Sequence, residues 1–292
     1  MTDHKSLLNL FDSFDDDEST IRAREIIHAP FGYPGGKSRS FKKILEQLPQ
    51  RDSYIEVFGG SGIVLLNRKI SHLEVYNDRY GGIVAFYRCV RDPELIEKLV
   101  ERLKFTCYSK EEFYWCLDTW NDVQDQVERA ARWYYMVQAS FAKKGEIWGR
   151  VVSHETIQGR VIQNNLGKFL LIHDRLKWVQ MENQDWSQCI SDYDNSDAVF
   201  YLDPPYLNTN TDGYEHEMSV GDHERMVNQI MDMKGFVALS GYDNELYNRF
   251  EWDDKIEWEV FVSIGKSDSK NKTLAAQRKS SETEVLWIKE AR

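Results

Sequence analysis

The stretch Val199-Phe200-Tyr201-Leu202-Asp203-Pro204-Pro205-Tyr206 determines how this chain is organised. An apolar run of strand-forming residues ends in an acid, two prolines and a tyrosine. Proline has no backbone N–H to give to a neighbouring strand, so we predict a buried strand that ends at Asp203. In open α/β sheets, ligands bind at the edge formed by the carboxyl ends of the strands. Taken alone, the pattern fits equally well a simple turn in which Asp203 satisfies backbone donors.

A glycine-rich loop follows an earlier predicted strand, in the stretch Tyr54-Ile55-Glu56-Val57-Phe58-Gly59-Gly60-Ser61-Gly62. The helix predicted over Ile63–Lys69 completes a strand–turn–helix unit of the kind that holds nucleotide-like cofactors. The loop departs from the dinucleotide fingerprint, because Leu65 stands where that motif has glycine or alanine. Tight packing of the helix on the strand would also explain the glycines.

Asp78 ends the next predicted strand, Leu73-Glu74-Val75-Tyr76-Asn77-Asp78. An acid at the end of the second strand of such a sheet is placed to accept hydrogen bonds from a ribose diol. The alternative is that Asp78 caps the helix predicted to start near Gly82. The glycine loop and Asp78 together favour a cofactor site.

Another glycine turn lies earlier, in Tyr33-Pro34-Gly35-Gly36-Lys37-Ser38, ahead of a helix that reaches about Gln47. The turn is not a Walker phosphate loop, because Phe31 occupies the position of that motif's first glycine. Glycine lets the backbone approach a ligand closely, and Lys37 adds a positive charge beside it.

The composition indicates a globular protein, since 41% of the 292 residues are hydrophobic and 13% are aromatic. That length suits one large α/β domain with an inserted module. The cysteines are scattered without a CxxC pair, so we expect neither disulfides nor a metal site. The N-terminus lacks a signal-peptide pattern and the apolar runs are too short to span a bilayer, so we expect a cytoplasmic protein.

Charge is distributed unevenly along the chain. The formal net charge is −11, yet residues 129–177 carry nine Lys or Arg against three acids, a local charge of +6. A second basic cluster lies within residues 266–279, and the acidic residues 1–29 are predicted to form a flexible tail. Local patches matter more than the total charge for attraction to a polyanion, although such patches are often only solvated surface.

Alternating strands and helices make up the remainder of the predicted fold. Further helices are predicted over 82–91, 93–103, 110–120, 123–138, 244–250 and, with Asp222 as N-cap, up to Met233. Further strands are predicted over 179–181, 183–186, 235–240, 256–264 and 284–289. Residues 139–167 break the helical period and have the size of a target-reading insert. The sequence therefore predicts an α/β fold with a doubly wound mixed sheet that ends in an antiparallel hairpin.

These motifs, in this order, resemble those of the Dam-like DNA adenine N6-methyltransferases. The family's motifs are Tyr-x-Gly-Gly-Lys, Phe-x-Gly-x-Gly, a target-recognition insert and Asp-Pro-Pro-Tyr. Here they correspond to Tyr33–Lys37, Phe58–Gly62, 139–167 and Asp203–Tyr206. The resemblance covers about residues 30–290 and implies a Rossmann-like methyltransferase fold.

The resemblance also implies a division of the chain. The predicted parts are a flexible acidic tail (1–29), a catalytic domain (30–104 and 178–292) and an inserted, largely helical target-recognition domain (105–177).

The cofactor implied by the resemblance is S-adenosylmethionine. The residues assigned to its pocket are Tyr33, Gly35, Lys37, Phe58, Gly59, Gly60, Asp78, Asp185, Trp186 and Asp203. Asp78 would hold the ribose hydroxyls, and Asp185 would accept from the amino group of the cofactor's adenine. Trp186 would contact the same base, at a position where the family more often has phenylalanine.

The resemblance assigns the transfer itself to Asp203, Pro204, Tyr206 and Lys37. The N6 nitrogen of adenine is a poor nucleophile because its lone pair is delocalised into the ring. The Asp203 carboxylate and the Pro204 carbonyl would accept its two hydrogens and so direct the lone pair at the methyl group. Tyr206 would stack on the base after it has left the duplex.

Double-stranded DNA is the implied partner, and no membrane or metal is expected. The predicted DNA contacts are Lys143, Lys144, Arg150, Arg160, Lys270 and Lys272. Family members that read GATC carry Arg-Tyr-x-Tyr-Asn-Gly at the start of the insert, where this chain has Ser140-Phe141-Ala142-Lys143-Lys144-Gly145. We therefore expect a target other than GATC, and a monomer or weak dimer that acts in the cytoplasm of a bacterium or of a phage-infected host.

Alternative functions stay open at this point. Cytosine N4-methyltransferases share the scaffold but usually have serine at the position of Asp203, and ribosomal RNA adenine methyltransferases usually have asparagine there. A non-catalytic DNA-binding protein would agree with the net charge of −11. Intact Asp203, Tyr206 and Lys37 argue against that alternative.

Overall fold

A seven-stranded mixed sheet forms the centre of the computed structural model, which describes residues 26–33, 35–150, 162, 165–207, 218–263 and 279–292. The strands are β1 (Ser53–Glu56), β2 (Leu73–Asn77), β3 (Gln180–Glu182), β4 (Ala198–Leu202), β5 (Phe236–Tyr242), β6 (Asp254–Ser263) and β7 (Lys279–Lys289). Their order across the sheet is β3-β2-β1-β4-β5-β7-β6. The first five positions pair in parallel, β7 pairs antiparallel with β5, and β6 pairs antiparallel with β7. The predicted fold class is confirmed.

The helices cover both faces of this sheet. They are α1 (Phe41–Gln47), α2 (Ile63–Asn67), α3 (Gly81–Arg91), α4 (Pro93–Lys104), α5 (Lys110–Thr119), α6 (Gln126–Ala139), α7 (Phe169–Leu176), α8 (Trp186–Tyr193) and α9 (Val220–Asp232). Short 3-10 helices span Phe141–Lys143 and Tyr247–Arg249.

Side chains that alternate along the central strands fill two separate hydrophobic cores. In β4, Val199 and Tyr201 pack on the face covered by α2 to α7, while Phe200 and Leu202 pack on the face covered by α8 and α9. A parallel strand covered on both faces needs apolar residues at every position, and β4 is buried throughout. The long apolar run before Asp203 is therefore explained by its central place in the sheet.

Helices α5 to α7 come from the predicted target-recognition domain, yet their buried residues share a core with α3 and α4. Arg175 on α7 reaches β2, where it donates two hydrogen bonds to the Glu74 carboxylate, at 2.5 and 2.8 Å. Both side chains are almost fully buried. The division of the chain at 105 and 178 stays a prediction, and the tail over 1–29 lies almost wholly outside the described residues.

Several predicted elements are wrong in detail. Residues 183–186 are not a strand, because Asp185 caps α8 by accepting from the backbone N–H of Ser187 at 3.1 Å. Asp222 is not an N-cap, because Ser219 caps α9 and Asp222 completes the capping box three residues later. The helix predicted over 244–250 shrinks to a 3-10 turn.

Candidate active site

The carboxyl ends of β1, β2 and β4 meet where the strand order reverses, between β1 and β4. This reversal is the ligand-binding position of doubly wound sheets. The glycine loop leaves β1, Asp78 follows β2 and Asp203 follows β4. Three of the motifs found in the sequence therefore lie along one edge of the sheet.

Lys37 brings the glycine turn that precedes α1 to the end of β4. Its ammonium group donates to Asp203 Oδ2 at 2.6 Å and to the Gly35 carbonyl at 2.9 Å. The residue is only 5% exposed. A buried ammonium group needs such partners, because its isolated charge would be costly to remove from water.

Asp203 is held from both sides. Its Oδ1 atom accepts a hydrogen bond from the Ser240 hydroxyl at 2.8 Å, while Lys37 occupies Oδ2. The Tyr201 hydroxyl lies 3.1 Å from the Ser240 oxygen. The Asp203 side chain is nevertheless 19% exposed, so a carboxylate with a fixed orientation faces outward from the sheet edge.

Tyr206 packs beside this pair. Its hydroxyl donates to Glu284 Oε1 at 2.9 Å, and its ring meets the Tyr242 ring edge-on at 4.8 Å between centroids. The Lys37 ammonium lies 4.8 Å from the ring centre. Burial, with the nearby Asp203 and Glu284 charges, raises the pKa of the Tyr206 hydroxyl well above its ordinary value, so the hydroxyl stays neutral and donates.

Glu284, at the start of the apolar part of β7, is a site residue that the sequence analysis missed. Its Oε1 atom lies 3.7 Å from the Lys37 ammonium, and its Oε2 atom accepts from the Trp258 indole at 3.0 Å. The available signal was the acid at the amino end of an antiparallel strand, which lies at the carboxyl edge of its parallel neighbours. Ser240, a polar residue late in a buried strand, gave a similar signal.

The glycine loop is shaped by close contacts that exclude side chains. A Cβ on Gly59 would lie 2.2 Å from the Tyr76 ring, and one on Gly60 would lie 3.0 Å from the Tyr33 ring. Gly60 also has a φ of +49°, in the left-handed region that favours glycine. These contacts explain Gly59 and Gly60, and they place Tyr33 against the loop.

Asp78 holds the glycine loop in place through hydrogen bonds of its carboxylate. Its Oδ2 atom accepts from the Gly60 backbone N–H at 2.7 Å, and its Oδ1 atom accepts from the Tyr80 backbone N–H at 2.7 Å. Asp78 therefore links the glycine loop after β1 to the turn after β2. The alternative in which Asp78 caps the next helix is wrong, because Tyr80 is the N-cap of α3 and none of the described side chains caps this helix.

A protein-family model matches most of the chain. The model of the D12 class N6 adenine-specific DNA methyltransferases matches residues 33–264. The chain belongs to this family. It is therefore an adenine-specific DNA methyltransferase, which favours adenine over the cytosine alternative and an enzyme over a non-catalytic binder. A search of curated proteins gives no significant match.

The cofactor residues predicted after β3 lie beside Asp78 in this methyltransferase. The Asn183 amide donates to the backbone carbonyls of Asp78 and Arg79, and Arg79 lies 3.4 Å from the exposed Asp185 carboxylate. Trp186 is buried at the start of α8. Phe58, also predicted to line the pocket, is half-buried and packs on the core beneath α8 and α9.

Glu56 lies in the core of the methyltransferase, beneath the glycine loop. Its Oε2 atom accepts from the Tyr54 hydroxyl and from the Leu65 backbone N–H, both at 2.8 Å. The pKa of Glu56 is raised from 4.5 to about 8, chiefly by burial. The hydrogen bonds from Tyr54 and Leu65 oppose this rise, and the charges of Asp203 and Arg175 have smaller effects of opposite sign. This carboxyl group therefore responds to both of the buried ion pairs described above.

The residues predicted to contact DNA differ in their exposure to solvent. Lys144 and Arg150 are exposed, whereas Lys143 is half-buried and its ammonium donates back to the Gln138 carbonyl. Burial also lowers the pKa of Lys143. Arg160, Lys270 and Lys272 lie outside the described residues.

The basic segment 129–177 exposes less charge than its sequence indicates. Arg175 is buried against Glu74, and Arg132 pairs with Glu128 on its own helix. Within the part of the chain that the structure describes, three or more potential ligands for a metal ion do not cluster anywhere. None of the helices described is both long and apolar enough to cross a membrane.

Proposed function

We propose that the enzyme takes a methyl group from S-adenosylmethionine and transfers it to N6 of an adenine flipped out of duplex DNA. The observation that carries the proposal is the oriented Asp203 carboxylate, held by Lys37 and Ser240 at the sheet edge. A hydrogen-bond acceptor fixed beside a ring and close to a cofactor cradle is what methylation of an exocyclic amino group needs.

The glycine loop and its neighbours fit the cofactor. The Tyr76 and Tyr33 rings leave no room for side chains on Gly59 and Gly60, and they hold the loop at the carboxyl end of β1, where doubly wound sheets bind ligands. The proposed binding residues are Tyr33, Gly35, Lys37, Phe58, Gly59, Gly60, Asp78, Asp185, Trp186 and Asp203. When bound, S-adenosylmethionine supplies an electrophilic methyl group on a positively charged sulfur.

Asp203 and the Pro204 carbonyl then act on the target amino group. None of the hydrogen bonds found among the described residues uses the Pro204 carbonyl. A carboxylate accepts about four hydrogen bonds, so Asp203 can take one from N6 while it keeps Lys37 and Ser240. With both amino hydrogens bound, the nitrogen lone pair turns out of the ring plane and becomes nucleophilic.

Tyr206 supplies a surface for the flipped base. Extrusion of a base from the duplex costs roughly a few kcal/mol. Stacking on an aromatic ring that is already held by Tyr242 and Glu284 offsets part of this cost without ordering a further side chain.

The test is methyl transfer from labelled S-adenosylmethionine to DNA of mixed sequence, with Asp203→Ala as the comparison. We expect label in N6-methyladenine with the native protein, and a loss of at least about a thousandfold with Asp203→Ala. Equilibrium binding of labelled cofactor shows whether the variant still has its pocket. Absence of label with the native protein, or label only in N4-methylcytosine, would refute the proposal.

For the DNA interface we propose Lys144 and Arg150 as phosphate contacts, because both are exposed on the insert. Lys143, Arg160, Lys270 and Lys272 stay predictions. Each phosphate contact contributes to the salt dependence of binding, so Lys144→Ala with Arg150→Ala should lower the slope of log K against log salt by about 2.

The matched control replaces two exposed lysines outside the insert, Lys69 and Lys98, with alanine. This control should leave the slope unchanged. An equal slope in both double variants would contradict the assignment.

The target is proposed to differ from GATC, since Lys143 and Lys144 stand where readers of GATC have tyrosine and asparagine. Methylation-sensitive sequencing of DNA from cells that express the chain identifies the target directly, and methylation confined to GATC would refute this part. We also propose that the enzyme acts in the cytoplasm as a monomer or weak dimer. Light scattering of the purified enzyme, with and without DNA, checks the oligomeric state.

A further inference from the structure

We propose that Glu284 is a positioning residue that fixes the Tyr206 ring through its hydroxyl group. The inference rests on the proposed function, in which Tyr206 receives the flipped base. Glu284 lies outside residues 33–264, the part matched by the family model, so nothing in that match assigns it a role. Its contacts within the site carry the argument.

Glu284 occupies a central position between two strands. It is paired in register with Tyr242 on β5 and with Trp258 on β6. The side chain is only 6% exposed, so it has little freedom to leave the site. Two neighbouring strands therefore determine where this carboxylate lies.

The two carboxylate oxygens have different donors. The Tyr206 hydroxyl donates to Oε1 at 2.9 Å, and the Trp258 indole donates to Oε2 at 3.0 Å. Rotation of the carboxylate would break one of these bonds and leave a buried donor unsatisfied. Trp258 thus orients Glu284, and Glu284 orients Tyr206.

The other contacts of the Tyr206 ring do not fix its direction. The edge-on contact with Tyr242 and the Lys37 ammonium near the ring allow a range of tilts. The hydroxyl also lies within reach of Ser240, whose own proton is donated to Asp203. The bond to Glu284 ties the angle of the ring beside Asp203 to a carboxylate that is itself held by Trp258.

Glu284 has a second way to act on the site, through its charge. The Lys37 ammonium lies 2.6 Å from Asp203 and 3.7 Å from Glu284. Loss of the Glu284 charge would leave Lys37 with Asp203 as its nearest acid. The experiment therefore separates a positioning role from a charge-balancing role.

The experiment uses Glu284→Leu, Glu284→Gln and Tyr206→Phe in the full chain, with the double variant Glu284→Leu/Tyr206→Phe. Glutamine keeps both contacts without charge, because its oxygen can accept from Trp258 while its amide donates to the Tyr206 hydroxyl. Leucine removes both contacts. Tyr206→Phe removes only the hydroxyl. This variant is expected to fold, so the test does not depend on the stability of Glu284→Leu.

We expect single-turnover methylation of DNA to fall roughly 10- to 30-fold in Glu284→Leu and in Tyr206→Phe. The methylation rate of the double variant should equal that of the slower single variant, because both changes remove the same interaction. Glu284→Gln should stay within about threefold of the native rate, and the affinity for S-adenosylmethionine should be unchanged in all variants.

Three results would overturn the inference: a native rate in Glu284→Leu with an intact melting temperature, additive losses in the double variant, or equal losses in Glu284→Gln and Glu284→Leu. The last result would assign Glu284 to charge balance. Failure of the proposed function looks different, because the native enzyme itself would then place no methyl group on N6 of adenine.

Discussion

Two ion pairs lie on this sheet, and they differ in the number of acids that share the cation and in their exposure to solvent. Arg175 and Glu74 are one cation and one anion, joined by two hydrogen bonds, with both side chains buried. Lys37 is one cation shared between two acids, Asp203 and Glu284, and the Asp203 side chain is 19% exposed. The first pair is closed off from solvent, while the second includes a carboxylate that solvent can reach.

The difference shows what separates a structural pair from a functional one. The bidentate Arg175 and the Ser71 backbone N–H give Glu74 three hydrogen bonds in a buried setting, and they fix α7 to β2. A lysine acts as a point charge, so it can hold Asp203 while other lone pairs of that carboxylate remain open to an amino group. The acceptor sites of Asp203 that solvent can reach, rather than its charge alone, are why we propose the end of β4 as the site of chemistry.

The largest effect on stability is expected at the pair of Arg175 and Glu74. Arg175→Leu leaves Glu74 buried without its partner, and we expect the free energy of unfolding to fall by about 3–5 kcal/mol in urea titrations. Arg175→Leu combined with Glu74→Leu should recover much of this loss, since no lone charge then remains. A loss below about 1 kcal/mol for Arg175→Leu would contradict a structural role.

The next effect is a pH dependence of stability that arises from Glu56, whose pKa is affected by one member of each pair, Asp203 and Arg175. Because its folded-state pKa of about 8 lies above the ordinary 4.5, native stability is fully present below pH 4.5 and falls as the pH rises to 8. Glu56→Gln cannot titrate and can keep both hydrogen bonds. Its stability relative to the native enzyme should rise by on the order of 3 kcal/mol between pH 5 and 8.5, measured by urea unfolding. A constant difference would show that Glu56 is ionised in the fold.

At the open pair, activity rather than stability should respond. Lys37→Met removes the donor that holds Asp203, and we expect single-turnover methylation to fall by about 30- to 100-fold. The loss of stability should be smaller than that of Arg175→Leu, because the Asp203 side chain keeps access to water. Lys42→Met, at an exposed position in α1, is the control. If Lys37→Met lowered the stability strongly but left the activity per folded molecule unchanged, Lys37 would have the structural role that we assign to Arg175.

The smallest effect is expected at Ser240. Ser240→Ala removes the hydrogen bond to Asp203 Oδ1 but leaves Lys37 in place, so methylation should fall by about three- to tenfold. Thermal unfolding should show a loss of about 1–2 kcal/mol, because the buried Tyr201 hydroxyl loses its partner. A larger loss of activity than in Lys37→Met would make Ser240 the principal support of Asp203.

Much of the fold was predictable because the motifs stand at the ends of buried runs. The apolar stretch before Asp203 predicted β4 to within about a residue, and Gly59 with Asp78 marked the ends of β1 and β2. Helix α7 was missed because it is short and follows a segment without a period. Residues 183–186 were misassigned because a capping acid beside a tryptophan also fits an alternating strand.

The contacts of the site depend on strand register, which the sequence does not contain. Lys37 meets Asp203 across 166 positions, and Ser240 reaches the same carboxylate from the neighbouring strand. Arg175 was counted as basic surface because its partner, Glu74, lies 101 positions away. Local patterns gave the acid, the turn and the ring, whereas tertiary pairing determines what each of them touches.

The place of β7 between β5 and β6 has a consequence for the order of folding. β6 is synthesised before β7 but joins the sheet only through it. β6 therefore cannot take its place in the sheet before β7 pairs with β5. A chain that stops before β7 lacks both Glu284 and the strand that holds β6 and Trp258 at the site. The proposed catalytic edge is thus complete only when the last strand of the chain is in place.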